Sequence, residues 1–384
     1  MNNNIEKLSP LELGIMGCEA VMNQFAAEEL PPKNFLFYHQ GVFLSGVEQI
    51  FKLSKDEKYF QYIKKYVDSV IGENGEIYGI CHELDHSAVS APAQQSLTML
   101  DYKQPIILFY NLYEVTKDIK YKNAIEQMTQ SMYYWPVNVH NGYWHAMFLP
   151  HQVWLDGAYM AGPLSAMYST FGDSTLLNRA IEQMFIIDKN MKDKNSGLYF
   201  HAWDPSKESD WADKATGLSS QIWSRAVGWY SVAMLDILDY VPQEHPKRSA
   251  LIKLVDDLLS NLIKYQDEET GFWYQVLDKP EREDNWIETS ATCLFIYSYA
   301  KALRKGIVKK DYHDTLIKAY NGVKKILYTD ENNNLVIDNI CAGTCVESGT
   351  YEHYISSRRV KNDLHGAGAF ILMCAEVQRY LDSL

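Results

Sequence analysis

Two kinds of helix-length pattern alternate along the chain. In the first, charged and apolar positions interleave at helical spacing, as in Tyr62-Ile63-Lys64-Lys65-Tyr66-Val67. Such a helix buries one face and leaves the other to solvent. These segments fall at about 10–28, 56–72, 118–132, 174–192, 247–265 and 311–327. In the second, apolar and small residues run nearly all round, as in Ala158-Tyr159-Met160-Ala161-Gly162 and Gly366-Ala367-Gly368-Ala369-Phe370. A helix of that kind is covered on most sides, and its small residues let neighbours approach closely. These segments fall at about 39–53, 101–116, 155–171, 221–240, 288–304 and 363–381. Asp56, Asp118, Asp173 and Asp311 stand in short turns ahead of four of the first kind, where a carboxylate suits a helix start.

Glycine–aromatic turns punctuate the same alternation. They stand at Gly75 (before Ile77-Tyr78), Gly142 (before Tyr143-Trp144), Gly197 (before Leu198-Tyr199) and Gly271 (before Phe272-Trp273), with a degenerate copy near Asn334-Leu335. The first four are 67, 55 and 74 residues apart. That is too long for the common short helical repeats and suits large helical hairpins set in a ring. Six outer and six inner helices predict an all-α (α/α)6 barrel. No Pro- or Gly-rich linker breaks the pattern, so residues 1–384 read as a single domain. In such a ring the inner helices start around one mouth.

Composition narrows the function. Apolar residues make up 47% and aromatics 13%, with 27 Tyr and 9 Trp. Side chains with an apolar face and a polar tip fit a binder of hydroxylated ligands such as sugars, although most of them fill the core. The net charge of −13 argues against nucleic acid and anionic membrane surfaces. It also requires that an anionic ligand meet locally placed donors. The polar start Met1-Asn2-Asn3-Asn4-Ile5-Glu6 lacks a secretory pattern, and no run is long and apolar enough to span a membrane. The six cysteines are scattered, and only Cys341 and Cys345 are close. Reduced thiols in a cytoplasmic protein are expected. No phosphate loop, HExxH, GxSxG or paired CxxC is present, so neither metal nor organic cofactor is expected. A monomer or weak homo-oligomer is expected.

The unusual polar residues cluster at the starts of inner helices. Asp156, in Trp154-Leu155-Asp156-Gly157-Ala158, lies in an apolar stretch where an unpaired carboxylate is costly. Asp101, in Met99-Leu100-Asp101-Tyr102, starts the neighbouring inner helix. Each reads either as a helix cap or as one of two carboxylates facing a common mouth. Burial and a like charge nearby raise a carboxyl pKa, which equips such a pair for acid–base work on sugars. Arg225, in Trp223-Ser224-Arg225-Ala226-Val227-Gly228-Trp229, is expensive in apolar surroundings unless paired. It either neutralises a carboxylate or binds substrate. His39, His145, His201 and His365 are each either core histidines or site residues. Gly343-Thr344 and Tyr351-Glu352-His353-Tyr354 form a polar loop suited to a ligand.

Three runs carry a family resemblance: His151-Gln152-Val153-Trp154-Leu155-Asp156-Gly157, Trp223-Ser224-Arg225-Ala226-Val227-Gly228-Trp229-Tyr230 and Asn362-Asp363-Leu364-His365-Gly366-Ala367-Gly368. With Phe37-Tyr38-His39-Gln40-Gly41 they span nearly the whole chain. Together they resemble the unsaturated rhamnogalacturonyl hydrolases of glycoside hydrolase family 105, relatives of the unsaturated glucuronyl hydrolases of family 88. The resemblance implies an (α/α)6 barrel and hydration of the C4=C5 vinyl ether of a terminal Δ4,5-unsaturated uronic acid on an oligosaccharide. It implies Asp156 as the acid/base residue and Asp101 as its partner. Tyr38, His145, Trp154, His201, Trp223, Arg225 and Trp229 then line the substrate site, with Thr344 and Tyr354 from the C-terminal loop. Trp223 or Trp229 is expected to stack on a sugar ring. Relatives often carry Lys directly after the equivalent of His145, where this chain has Ala146. Two rival readings are a sugar epimerase on the same scaffold, using histidines as its acid–base pair, and a non-catalytic saccharide-binding protein, which has no need of Asp156.

Overall fold

The computed structural model describes residues 2–33, 36–77, 98–308 and 312–384. Outer and inner helices alternate: α1 (Pro10–Met22) and α2 (Tyr38–Ser54), α3 (Glu57–Val70) and α4 (Ile107–Thr116), α5 (Ile119–Tyr133) and α6 (Gly157–Met167). They continue as α7 (Thr175–Met191) and α8 (Ser224–Leu238), then α9 (Arg248–Leu262) and α10 (Thr289–Arg304). Outer α11 (His313–Ile326) follows, then the short α12 (Tyr351–Ile355) and inner α13 (Leu364–Leu381). The inner helices close a ring: α2 packs on α4 and α13, α6 on α4 and α8, and α10 on α8 and α13. This is the predicted (α/α)6 barrel. No helix among the described residues is long and apolar enough to cross a membrane.

Small residues make the ring tight. A Cβ on Gly368 of α13 would lie 2.5 Å from the backbone N of Phe43 on α2. One on Gly228 of α8 would lie 2.9 Å from Leu294 Cδ1 on α10. At the end of the barrel opposite the mouth, Lys301 of α10 reaches Asp236 Oδ1 at 2.5 Å and Asp239 Oδ2 at 2.8 Å. That pairing offsets the cost of a buried ammonium and ties α10 to the end of α8.

The turn units have a chemical basis beyond their glycines. Asp267 Oδ1 accepts from Thr270 N at 2.7 Å and Thr270 Oγ1 at 2.6 Å. Gly271 then turns through φ 80°, 2.7 Å (from a notional Cβ) against the Lys318 carbonyl. Asp193 plays the same part before Gly197. The Gly142 unit differs: Asn138 Oδ1 takes the Gly142 N–H at 3.1 Å, and Asn141 holds the left-handed φ of 64°. In the degenerate copy Asp330 accepts from Asn332 and Asn334, and Asn333 (φ 61°) replaces glycine. Asparagine tolerates that conformation because its side chain bonds locally. Tyr78 lies outside the described residues.

Asp56, Asp118 and Asp173 accept from Lys58 N, Lys120 N and Thr175 N, as expected of helix starts. Asp311 lies outside the described residues. One inner helix departs from expectation. Residues 101–106 form two 3-10 turns, Leu100–Tyr102 and Gln104–Ile106, before α4 begins at Ile107. Pro105 has no N–H to give, which disfavours a regular helix there, although α6 does carry Pro163 within it.

The tight α2–α13 contact yields a test. Gly368→Ala forces a methyl group against main-chain atoms that cannot rotate away. Overpacking of this kind costs about 1–3 kcal/mol. A clear drop in the urea midpoint with an unchanged slope is expected. An unaltered midpoint would show that the two helices separate freely.

Candidate active site

The mouth is built from the starts of inner helices and the loops before them. Short ladders fix those loops. Met99 bridges Ala146, Leu100 N donates to the His145 carbonyl at 3.0 Å, and Val153–Trp154 pairs with Ala202–Trp203. These contacts bring Asp101, His145, Trp154, Asp156 and His201 together. Ala146 is fully buried in the ladder.

Neither carboxylate caps its helix. Asp156 precedes α6 in helical conformation and makes no side-chain cap bond. Its Oδ2 instead lies 3.2 Å from His201 Nε2. Asp101 also makes no capping bond, and its buried Oδ1 has no hydrogen-bond partner. The nearest basic group to that oxygen is His145 Nε2, at 3.6 Å, beyond hydrogen-bond range. Both side chains are nearly covered, at 6% exposure for Asp101 and 8% for Asp156.

The two carboxyls are driven apart. Burial raises Asp101, and the Asp156 charge raises it further, well above the usual carboxylate range. Burial also pushes Asp156 up, but the His201 hydrogen bond and the electrostatic influence of His201, His145 and Arg225 outweigh it, leaving Asp156 lowered. This corrects the expectation that Asp156 is the raised member of the pair. The sequence shows its apolar neighbours but not the imidazole that meets it. Burial lowers His145 to about 4, so its ring is neutral at physiological pH.

The aromatic residues divide sharply. Trp154 is partly exposed, and its ring stacks on His145 at 4.5 Å with a 5° tilt. Its Nε1 donates to Gln152 Oε1 at 3.0 Å. Trp229 is fully buried against Tyr159, stacked at 4.7 Å. Trp223 is 2% exposed, between the Arg225 guanidinium at 4.5 Å and the His201 ring at 4.8 Å. The expectation that Trp223 or Trp229 offers a face to a sugar is therefore not met. Trp154 is the exposed indole beside the carboxylates. Tyr38 is partly exposed, with its ring edge-on to Trp229 at 6.4 Å.

Arg225 is completely buried near the start of α8. Its NH1 donates to the Cys341 carbonyl and lies 2.8 Å from His365 Nε2. Among the described residues it forms no ion pair with a carboxylate, and its Nε and NH2 have no hydrogen-bond partner. A Cβ on Gly343 would stand 3.8 Å from NH2, so the polar loop lies directly over the guanidinium. Thr344, next in that loop, turns its hydroxyl to His353 Nε2 at 3.1 Å. Tyr354 is fully buried, and its hydroxyl meets His201 Nδ1 at 2.7 Å.

Among the described residues, His39, Asp363 and His365 have the spacing of metal ligands, with the relevant atoms within 4.8 Å of one another. Arg225 contacts the far nitrogen of His365, so a dication there would stand beside a fixed positive charge. The trio instead links the starts of α2 and α13: Asp363 Oδ1 lies 2.8 Å from His365 Nδ1 and 3.4 Å from His39 Nδ1. Cys18, Cys293, Cys341, Cys345 and Cys374 are free thiols, and Cys81 lies outside the described residues.

Two residues of the site have no place in the sequence reading. Glu288, fully buried, caps α10 by accepting from Ala291 N at 2.5 Å and also holds Cys341 N at 2.8 Å. It immediately precedes its inner helix, as Asp156 does, which is the signal that points to it. Gln275, fully buried, accepts from Trp223 Nε1 at 3.1 Å and donates to the Tyr354 carbonyl at 3.0 Å. It follows the Gly271 turn, and nothing in its local sequence marks it.

The opposed shifts predict a titration. In Asp156→Asn the like charge is gone, so the Asp101 carboxyl should ionise at lower pH than in the parent. It should still ionise above the ordinary range near 4, because burial is the larger cause. Carboxyl infrared difference spectra across pH measure this directly. An Asp101 band unmoved by the substitution would mean that the two groups are uncoupled.

Comparison with known proteins places the chain in a known group. Residues 17–381 match Glycosyl Hydrolase Family 88. A Clostridium acetobutylicum glycoside hydrolase from family 105 superposes with TM-score 0.86 at 30% identity, covering 95% of this chain and 98% of that one. The unsaturated rhamnogalacturonyl hydrolase YesR of Bacillus subtilis is 25% identical over 263 residues, 66% of each chain. The unsaturated glucuronyl hydrolase of Bacillus sp. GL1 shares the fold, with TM-score 0.67 at 13% identity over 95% of this chain and 96% of that one. With the barrel and the match across nearly its whole length, the chain belongs to the family 88/105 group of glycoside hydrolases.

Proposed function

We propose that the protein removes a terminal Δ4,5-unsaturated uronic acid from short oligosaccharides by hydrating its C4=C5 double bond. The observation that carries this reading is a buried carboxyl pair at the mouth whose members are pushed in opposite directions. Such a pair enters a reaction with one proton and one negative charge between them. Family membership supports the glycosidase class. Unsaturated galacturonate from rhamnogalacturonan is the favoured substrate, from the likeness to YesR and the sequence runs quoted above.

In this reading Asp101 carries the proton of the empty site and Asp156 the charge. A bound uronate carboxylate takes up the positive charge of Arg225 and expels water from Asp156. Both changes raise the proton affinity of Asp156. Asp156, which takes up a proton from solvent as the anion binds, then delivers it to C4, and positive charge develops at C5, shared with the ring oxygen. Water adds at C5, and Asp156 takes up the proton it releases. The C5 hemiketal opens to a ketone, and the hemiacetal left at C1 collapses to an aldehyde, expelling the rest of the saccharide. The balance is one water consumed, and the acid is regenerated. His201 steadies Asp156, and Trp154 offers the apolar face for the sugar. With Ala146 where a Lys would offer a cation, binding of the anionic end is assigned to Arg225.

Lyase digests of several polysaccharides test the substrate. Loss of the unsaturated-uronate absorbance, with the mass gain of one water and chain cleavage, is expected most rapidly for rhamnogalacturonan fragments. A faster reaction on glucuronate-containing fragments would reassign the substrate, and a product of unchanged mass would indicate an epimerase. Asp156→Asn should reduce turnover by about 10²–10⁴-fold or more with saccharide binding retained, since an amide cannot protonate carbon. More than a tenth of parental activity would sink its role.

Arg225→Ala should lower kcat/KM by about 10²-fold, close to 2–3 kcal/mol for a lost charge-assisted hydrogen bond. The uronate methyl ester separates binding from scaffolding. The loss should be far smaller on the ester, whereas equal losses on acid and ester would make Arg225 a structural support.

A further inference from the structure

The mouth contains a chain of three buried polar groups that runs away from the reacting atoms. Asp156 Oδ2 meets His201 Nε2 at 3.2 Å, and His201 Nδ1 meets the Tyr354 hydroxyl at 2.7 Å. His201 and Tyr354 are both completely buried. Tyr354 comes from α12, 153 residues further along the chain than His201. Nothing in the substrate reading gives its hydroxyl a task, since it is turned to the imidazole and sealed from the opening.

We propose that Tyr354 is a positioning residue that fixes the ring tautomer of His201 and, through it, the hydrogen bond accepted by Asp156. The logic is one of donors and acceptors. A carboxylate only accepts, so His201 must present Nε2–H to Asp156. In the neutral ring Nδ1 is then an acceptor, and its partner must be a donor. The phenol supplies that donor: burial, together with the charge of Asp156, holds its proton well above the ordinary range for tyrosine. The alternative tautomer would set a ring lone pair against the carboxylate, while the hydroxyl would have to turn from donor to acceptor. Without it, the Nε2–H tautomer buries an Nδ1 lone pair with no donor, which narrows its advantage over the other tautomer, and that other one leaves Asp156 unsupported. Selecting a histidine tautomer by a buried partner is a known route to large rate effects.

The support behind Tyr354 fits this role. Gln275 holds the Tyr354 carbonyl at 3.0 Å and the Trp223 indole at 3.1 Å. The Trp223 ring lies 4.8 Å from His201. The hydroxyl is thus held from the main chain as well as by side-chain packing. The charged and titratable groups acting on Asp156 are His201 and His145 from the loops, Arg225 from α8, Asp101 from the 3-10 turn, Tyr38 from α2 and Tyr354 from α12. Removing one hydroxyl leaves the rest in place, so a change in Asp156 reports on the His201 bond.

The test is Tyr354→Phe, which keeps the ring and deletes the oxygen. It rests on the proposed hydration reaction for its kinetic arm and is independent of it for its spectroscopic arm. In long-range ¹⁵N–¹H spectra of histidine-labelled protein, His201 (assigned by its loss in His201→Gln) should be the Nε2–H form in the parent and a mixture in the variant. In kinetics, kcat should fall by about ten- to a hundredfold with KM little changed. The limb of the kcat/KM profile set by Asp156 should move to higher pH, because the anion has lost a donor. In a His201→Gln background the same substitution should add little. Should the phenylalanine variant fail to fold, Tyr354→Met fills much of the volume and serves equally. An unchanged tautomer and an unmoved pH limb, with only a lower melting temperature, would overturn the proposal and leave Tyr354 as packing. A protein that does not hydrate unsaturated uronates at all would refute the reaction, while the spectra would still decide the tautomer.

Discussion

A negative charge inside an apolar barrel is stable only if donors meet it, and the Asp156–His201 hydrogen bond is where this fold meets that demand. Desolvation alone would drive both mouth carboxyls toward the neutral form. His201 reverses the direction for Asp156, and the resulting anion drives Asp101 further up. One 3.2 Å contact therefore bears on two carboxyls on different segments, favouring the anion at Asp156 and, through it, disfavouring the anion at Asp101. The loop ladder that pairs Ala202 with Trp154 and ties Leu155 N to the His201 carbonyl at 2.9 Å is what delivers the imidazole to that distance.

The barrel's tightness serves the same end. Inner helices that meet through Gly368 and Gly228 bring their starts close together, so the groups at the mouth share little water. Electrostatic interactions strengthen as water is excluded. The cost is that a charge introduced there must be balanced locally. Glu288 and Arg225 show two solutions. Glu288 collects backbone N–H donors from its own helix and from Cys341. Arg225 gives one nitrogen to the Cys341 carbonyl and keeps two donors uncommitted. The first is a finished structural contact, and the second leaves donors for the uronate it is proposed to bind.

What the sequence discloses follows from the range of the interactions. Outer helices are legible because amphipathic spacing and Asp56- or Asp118-type starts are local. Inner helices are legible because all-round burial demands small and apolar residues. The start of α4 is misread because Pro105 interrupts a pattern that is otherwise helical. Asp156 stands out because its neighbours are apolar, yet its state depends on His201, 45 residues away, and His201 depends on Tyr354, 153 residues further. Trp223 and Trp229 look like sugar platforms by residue type. Only the packing of Arg225, His201 and Tyr159 shows that their faces are taken.

Tyr354, Arg225 and Glu288 converge on one segment, the strand Ile340–Cys341 and the loop after it. Cys341 offers its carbonyl to Arg225 and its N–H to Glu288, while its Sγ lies 3.3 Å from Gln275, which holds Tyr354. A single residue of the C-terminal loop thus joins the Arg225 guanidinium to the Asp156–His201–Tyr354 chain. The consequence is mechanical. A shift of this strand would move Arg225 and Tyr354 together, so the groups proposed to bind the uronate and to tune its proton donor cannot be displaced independently. Coupling of that kind requires no special element. It follows from placing several buried polar groups on the two hydrogen-bonding atoms and one sulfur of the same residue.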